Sequence, residues 1–350
     1  CLLSRGLGDV YKRQIIPLVI ILSILFIDHY NKFYKDNTNF NDESIFLYIV
    51  SNDSLSFTDS ISKYIKSEKT FYKVAQRLGY LDNIKTGRFK INKGVGNKEL
   101  ISSLKFNNTP LTITFNNQER VENLAGRIAK QIYSDSTALI NSFTDKDFLE
   151  ENNFNKENIL SIFVPNSYEV FWDIEPDQFR DKMFLEYEKF WNKSRTEKAK
   201  NIGLTKKEVI ALASIVQKES VKVDERPIIA GVYVNRLNTR MRLQADPTVI
   251  YSIKDYYKNF DTIIRRVLYR DLRLNSRYNT YKINGLPPGP ISMPDITSID
   301  AVLNYKKHEY IFFVADPYNR GYHLFARNLS EHNRNKKVYT RWLNSRGIYR

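Results

Sequence analysis

The chain reads as an α+β protein behind an apolar anchor, with a small α+β module followed by a larger α+β domain. Three observations predict this. Ile15–Ile27 is an almost unbroken apolar run. Residues 45–108 order their apolar patterns as strand, two helices and strand. Residues 109–350 carry a long series of amphipathic helical patterns with a hairpin pattern near the end. A length of 350 residues suggests about two domains, and 42% hydrophobic with 13% aromatic content supplies their cores.

Cys1–Gln14 has little pattern and does not begin with Met, so residues 1–14 are read as a non-native or fragment leader. Cys1 is the single cysteine, which leaves neither an intramolecular disulfide nor a cysteine metal site. Ile15–Ile27 is shorter than the ~20 residues a bilayer core asks for, and a signal-peptide core is the competing reading. No small-x-small cleavage site follows, so residues 15–30 are read as an uncleaved transmembrane signal anchor. Lys12 and Arg13 then lie on the cytoplasmic side and the remainder outside. Residues 31–44, rich in Lys, Asp and Asn, read as a polar spacer.

Ile45–Val50 is a strand, Phe57–Lys66 and Thr70–Leu78 are helices, Gly87–Ile91 is a second strand, and Asn97–Phe106 is a helix. Leu111–Phe115 is a strand and Val121–Ile132 an amphipathic helix. Pro165–Trp172 leaves the helical pattern, and Gln178–Lys200 reads as one long charged helix with Phe179, Met183, Tyr187, Phe190 and Trp191 inward. Thr205 and Glu208 form a capping box that starts the next helix. Within it Leu212, Ile215, Val216 and Glu219 share one stripe, so the core-facing stripe ends in an acid. Two readings stay open there. The helix runs out of core and leaves Glu219 in water, or the carboxyl sits against apolar walls, stays protonated nearer neutrality and serves as a general acid.

Asp224–Leu237 is a further helix, with Asn235 and Arg236 ending the face begun by Ile228 and Val232. Gln244, Asp246 and Thr248 cluster on a turn pinned by Pro247, where Asp246 either binds ligand or caps the helix Thr248–Ile253. Asn284-Gly285 and the prolines up to Pro290 form a rigid, turn-rich wall. Tyr310–Ala315 and Tyr322–Ala326 pair as a hairpin, on which His323 and Phe325 share a face; a lone strand histidine reads as structural. Ser330–Leu343 closes the chain as a helix begun by a Ser cap.

Lys and Arg outnumber Asp and Glu, 54 to 39, for a net charge of +15. No zinc-finger spacing, helix-turn-helix signal or RNA-binding aromatic motif accompanies that charge, so nucleic acid is not the expected partner. An anionic surface is, and both membrane lipid headgroups and cell-wall polymers qualify. The four histidines, His29, His308, His323 and His332, show no metal-ligand spacing, and no metal or cofactor is expected.

Several separate stretches carry a family resemblance: Ala213–Ser220, Asp224–Arg226, Ile229–Leu237, Met241–Tyr251, Tyr278–Tyr281, Gly285–Pro290, Tyr310–Asp316, Gly321–Phe325 and Glu331–Asn333. In order and spacing they closely resemble the endolytic murein transglycosylases, the YceG-like family, from about Ile45 onward. The resemblance implies a LysM-like module in residues 45–108, in contact with glycan, and a YceG-like catalytic domain in residues 109–350. It implies a single-pass protein of the bacterial inner (cytoplasmic) membrane with its catalytic domain on the extracytoplasmic side. Its substrate would be the glycan strands of nascent peptidoglycan, its neighbours the peptidoglycan synthases, and it would need no cofactor.

In lytic transglycosylases one Glu protonates the glycosidic oxygen and then takes the proton of the C6 hydroxyl of N-acetylmuramic acid, which closes a 1,6-anhydro ring. Glu219 matches that residue: it precedes Ser220 as in the family's Glu-Ser pair, and the family's neighbouring Glu is Gln217 here, which removes the rival. Ser220, Glu225, Asn235, Gln244, Asp246 and Tyr281 are candidates for orienting substrate. Tyr168 and Trp172 are candidates for stacking on sugar, with core packing the other reading of Trp172. The family has Pro-Asp-Thr-Tyr where this chain has Pro165-Asn166-Ser167-Tyr168, so a catalytic role at Asn166 is in doubt. Two readings compete: a lysozyme-type hydrolase with Glu225 or Asp246 as second carboxylate, and a membrane-anchored glycan-binding scaffold in which Glu219 is structural.

Overall fold

The computed structural model describes residues 2–347, with side chains from residue 12 onward; Cys1, read above as the single thiol, lies outside the described residues. Helix α1 (Leu2–Phe33) takes in most of the stretch set apart as a leader and continues through the apolar run. From Lys12 to Phe33 it is long and apolar enough to cross a membrane, with a mean hydropathy of 1.6. Every Ile, Leu, Val and Phe from Ile15 to Ile27 is exposed, as a lipid-facing surface requires.

The chain divides into two compact units. The first runs to Thr112 and adds residues 131–133 and 169–174; the second holds the rest. In the first, β1 (Ser44–Ile49), α2 (Ser54–Ile61), α3 (Glu68–Arg77), β2 (Gly87–Asn92) and α4 (Asn97–Phe106) follow the expected order. β1 and β2 are antiparallel, with Leu47 opposite Phe89. Alternation buries Leu47, Ile49, Phe89 and Ile91 on one face, where they meet Phe57, Phe71, Leu100 and Leu104 from the helices and Tyr80 from the loop after α3. Asp53 and Ser67 cap α2 and α3 through their side chains.

Residues 31–44 do more than the polar spacer reading allows. Asn37 is 4% exposed and Phe33 7%. The Asn37 amide donates to Asn97 Oδ1 (2.7 Å), and its own oxygen accepts the Ser67 N–H (2.8 Å). The Asn97 amide donates in turn to Lys32 O at the end of α1 (2.8 Å). A polar composition hid this because the Asn pair is buried through mutual hydrogen bonding, which satisfies groups that would otherwise be costly to bury.

The second unit contains α5 (Val121–Ala129), α6 (Ser136–Phe143) and α7 (Lys146–Glu151); β3 (Leu111–Phe115) and β4 (Asn166–Val170) pair as a two-stranded sheet whose strands the division crosses. Two helices, α8 (Pro176–Phe190) and α9 (Lys193–Ile202), replace the single helix expected over Gln178–Lys200. The break comes just after Phe190 and Trp191, at Asn192, whose side chain accepts the Arg195 N–H (3.0 Å) and starts a new helix.

Next come α10 (Lys206–Glu219), α11 (Arg226–Asn238), α12 (Asp246–Tyr256), α13 (Ile296–Leu303), β5 (Phe312–Ala315), β6 (His323–Ala326) and α14 (Leu329–Ser345). α10 begins with the expected capping box: Glu208 Oε2 accepts the Thr205 N–H (2.8 Å), and Thr205 Oγ1 accepts the Glu208 N–H (3.3 Å). Val209 through Val216 are all buried, so α10 is covered all round by α9, α11, α12 and α13 instead of along one stripe. β5 and β6 form the antiparallel hairpin, with Ala315 opposite His323, and α14 packs on it. Asn328, not Ser330, caps α14 by accepting the Glu331 N–H (2.9 Å).

Candidate active site

Glu219 is the last residue of α10. Its Oε1 accepts a hydrogen bond from Tyr233 Oη at 2.6 Å. Tyr233 sits on the buried stripe of α11 and is 1% exposed, so its hydroxyl has a fixed direction. Glu219 is half-buried as a residue, and the packing around its carboxyl is dense. Burial pushes Glu219 up to about 7. Tyr233's hydrogen bond lowers it, Asp246's charge raises it, and the charges of His323 and Arg236 lower it. The C-terminal end of α10 adds a partial negative charge that further disfavours the ionised form. Burial and Glu219 hold the Tyr233 phenol well above its ordinary value, so it remains a donor.

Arg236, one turn beyond Tyr233, is buried and donates through Nε to Ile311 O (2.7 Å) and through Nη1 to Leu243 O. It ties α11 to the chain entering β5 and to the chain entering α12. Arg226, 5% exposed, donates to Ser220 O (3.0 Å), to both Asp295 carboxylate oxygens (3.0 and 2.9 Å) and to Thr297 Oγ1 (2.8 Å). The end of α10 is thereby fixed to the start of α13. Burial would raise the Asp295 carboxyl, but hydrogen bonds from Ser298, Thr297 and Arg226 outweigh it and hold it below its usual range. Gln217 Oε1 accepts the Asp295 N–H (2.6 Å), so the amide that stands in the family's Glu position braces the same corner.

Asp246 is exposed in the first turn of α12 and accepts from Tyr281 Oη at 2.7 Å. It makes no side-chain cap, and α12 starts at Asp246, earlier than the expected Thr248. Gln244 holds a left-handed backbone (φ 48°), a conformation that costs a non-glycine residue on the order of 1 kcal/mol. Its N–H donates to Thr280 O (3.2 Å), Ala245 N–H donates to Thr280 Oγ1 (2.9 Å), and the Thr248 and Thr280 hydroxyls are 2.8 Å apart. The Gln244–Thr248 and Tyr278–Tyr281 stretches thus form one stapled wall.

Glu225 is 3% exposed and both its oxygens are occupied: Oε1 accepts the His323 N–H (2.7 Å), and Oε2 accepts His323 Nδ1 (2.9 Å) and Ser220 Oγ (3.1 Å). Ser220, also 3% exposed, faces Glu225. The Asn235 amide is spent on the carbonyls of His308 (2.8 Å) and Tyr310 (3.0 Å). Tyr168 donates to Val164 O (2.6 Å) and stacks on Phe115 (centroids 5.4 Å apart). Trp172 belongs to the first unit and packs on Tyr48 (4.9 Å) and Tyr133 (5.0 Å). Sequence reasoning missed Tyr233, Arg236 and the pairing of His323. A Tyr and an Arg at helical spacing after Ile229 and Val232, on a stripe otherwise apolar, were the signal for the first two.

A separate cavity of about 220 Å³ is lined by Glu119, Lys218, Pro247, Ile250, Tyr251, Lys254 and Ile291. Its carboxylate contrasts with Glu219: burial would raise Glu119, but Lys254 (2.8 Å) and Lys218 (3.0 Å) outweigh it and hold the group below its usual range. Glu119 is therefore a poor proton donor near neutrality.

The sequence profile of the YceG-like family matches residues 56–338. An endolytic murein transglycosylase of Bacillus subtilis (strain 168) is 29% identical over 314 residues, 83% of this chain and 83% of that protein. One of Streptococcus pneumoniae (serotype 2, strain D39) is 37% identical over 140 residues, 40% of this chain and 24% of that protein. A crystal structure of a YceG-like protein from Listeria monocytogenes superposes with a TM-score of 0.54 at 24% identity, covering 84% of this chain and 99% of that one, a likeness of fold. With the family's pattern running through the helices and hairpin that surround Glu219, the chain belongs to the YceG-like family.

Proposed function

We propose that the protein is an endolytic murein transglycosylase, which cuts the bond between N-acetylmuramic acid and N-acetylglucosamine in nascent peptidoglycan strands and leaves 1,6-anhydro ends. The observation that carries this reading is the Glu219 carboxyl, raised to about 7 and held by Tyr233 at the end of α10. The B. subtilis relative of that name supports it. Protonated Glu219 gives its proton to the glycosidic oxygen, the C1–O bond breaks, and the leaving sugar departs with a free hydroxyl. The C6 oxygen then bonds to C1 and gives up its proton, in the simplest scheme to the Glu219 carboxylate. No water is consumed. The exposed Asp246–Tyr281 pair and the Gln244 amide line the approach and orient the sugar.

Glu225 is a poor second carboxylate for a hydrolase, because its oxygens already accept three hydrogen bonds. The anchor helix and basic surface favour work at the outer face of the cytoplasmic membrane, beside the synthases that extrude new strands. The order of β1, α2, α3 and β2 agrees with a LysM-like, glycan-contacting module.

The test is mass spectrometry of glycan ends after the full chain, in detergent, acts on uncrosslinked peptidoglycan. Ends one water lighter than reducing ends are expected. Reducing ends would move the reading to a hydrolase, and intact strands to a binding scaffold. The pH profile follows from the same carboxyl. The acid form of Glu219 falls away above about 7, so kcat/KM is expected to drop about tenfold per pH unit on the alkaline side. A profile flat well past that point would exclude Glu219 as the proton donor.

A further inference from the structure

His323 was expected to be structural, and a structural histidine satisfies both ring nitrogens. This one does not. Its ring is largely buried, with 14% of the side chain exposed. Glu225 accepts from Nδ1 (2.9 Å), and a carboxylate can only accept, so Nδ1 carries the hydrogen. In the neutral ring Nε2 is then an acceptor, and it has no hydrogen-bond partner among the described residues. Glu225 is itself fixed: it is 3% exposed, its other oxygen accepts the His323 N–H (2.7 Å), and Ser220 Oγ donates to it (3.1 Å). Ser220 directly follows Glu219, so this network is built onto the residue next to the acid. The ring stands edge-on to Phe313 (5.1 Å), which also packs against Tyr233, the Glu219 partner (6.0 Å). A histidine with one nitrogen fixed by a buried carboxylate and the other open is the arrangement of an oriented base.

We propose that His323 Nε2 accepts the proton of the C6 hydroxyl as that oxygen bonds to C1, with Glu225 as the positioning residue that sets the ring's tautomer. This rests on the transglycosylase reading and divides its second half from its first. Glu219 loses its proton to the leaving sugar, and His323 gains one from the C6 hydroxyl. Transfer from the imidazolium back to the Glu219 carboxylate resets both groups, and protons balance over one turnover. Glu219 Oε1 is engaged by Tyr233 and the opposite oxygen has just served the leaving group, so a second acceptor lets ring closure proceed without the carboxyl turning.

The experiment compares wild type, His323→Asn and Glu225→Gln as full chains in detergent, reading both cleavage rate and the ratio of 1,6-anhydro to reducing ends. His323→Asn keeps an N–H near the Nδ1 position for Glu225 and removes Nε2; Glu225→Gln keeps the shape and removes the carboxylate. Both variants are expected to lose at least tenfold in anhydro ends, with the ratio shifting toward reducing ends as water captures the sugar. A folded His323→Asn that makes anhydro ends at the wild-type ratio overturns the proposal, whether or not its rate falls, because a structural role lowers rate without changing the product. If Glu225→Gln does not fold, His323→Asn decides alone. A wild-type protein that makes no anhydro ends overturns the transglycosylase reading and this proposal with it, and so separates the two failures.

Discussion

Glu219→Gln is expected to lower glycan cleavage by on the order of 10³-fold or more and, above neutral pH, to make the protein more stable. Loss of a positioned general acid removes about 10²–10⁴ in rate, and among the described residues no other carboxyl at the end of α10 is placed to replace it. Gln keeps the oxygen that accepts from Tyr233, so the geometry of the end of α10 survives. The stability effect comes from the raised carboxyl. Its folded value of about 7 exceeds its ordinary 4.5, so the native state prefers the protonated form. That preference stabilises the fold fully below 4.5 and is lost as pH rises through about 7, leaving an ionised group in a dry place. Gln carries no such charge, and the variant gains up to about 3 kcal/mol over wild type at alkaline pH and little in acid. Product release measured beside thermal melts on both sides of neutrality checks the two halves. Retained activity, or a variant that melts lower at alkaline pH, would contradict the assignment.

Arg226→Met is expected to destabilise the protein by about 1–3 kcal/mol, because a buried charged donor is lost while its carboxylate partner, 35% exposed, keeps access to water. Arg226 is 5% exposed, and its loss leaves the Ser220 carbonyl without that donor and Asp295 without its cation, while Thr297 and Ser298 still donate to Asp295. Activity should fall as well, since Ser220 O anchors the residue next to Glu219. Adding Asp295→Asn removes the stranded charge while an Asn can still cap α13, so the double variant should recover part of the loss. The urea midpoint is the readout. A single variant within about 0.5 kcal/mol of wild type would show that the clamp contributes little.

What the sequence made legible was local. The Thr205–Glu208 capping box, the bounds of α4 and β3, the β5–β6 hairpin and the acid at the end of α10 each depend on residues a few positions apart. The partners of that acid do not. Tyr233 lies 14 residues on, His323 meets Glu225 across 98, and Arg236 meets Ile311 across 75. No periodicity encodes such pairs, because packing in three dimensions selects them. Asn37 and Asn97, 60 residues apart, were hidden in the same way: each alone reads as surface, and only the pair can be buried. Asn192 was missed for a different reason: the inward apolar pattern stops at Trp191, and the charged stretch after it has no apolar periodicity to mark a new helix start.

That Asn pair also decides how the anchor behaves mechanically. Phe33, in the last turn of α1, is part of the module's core, Arg77 lies over its ring (5.4 Å), and the Lys32 carbonyl is held by Asn97. The helix therefore acts as an axle, not a leash. Rotation of α1 about its axis turns the module with it, and one residue inserted into the helix would swing the module by about 100° and raise it by about 1.5 Å. The stand-off of the module from the end of the apolar run, and the face it turns outward, are set by helical register.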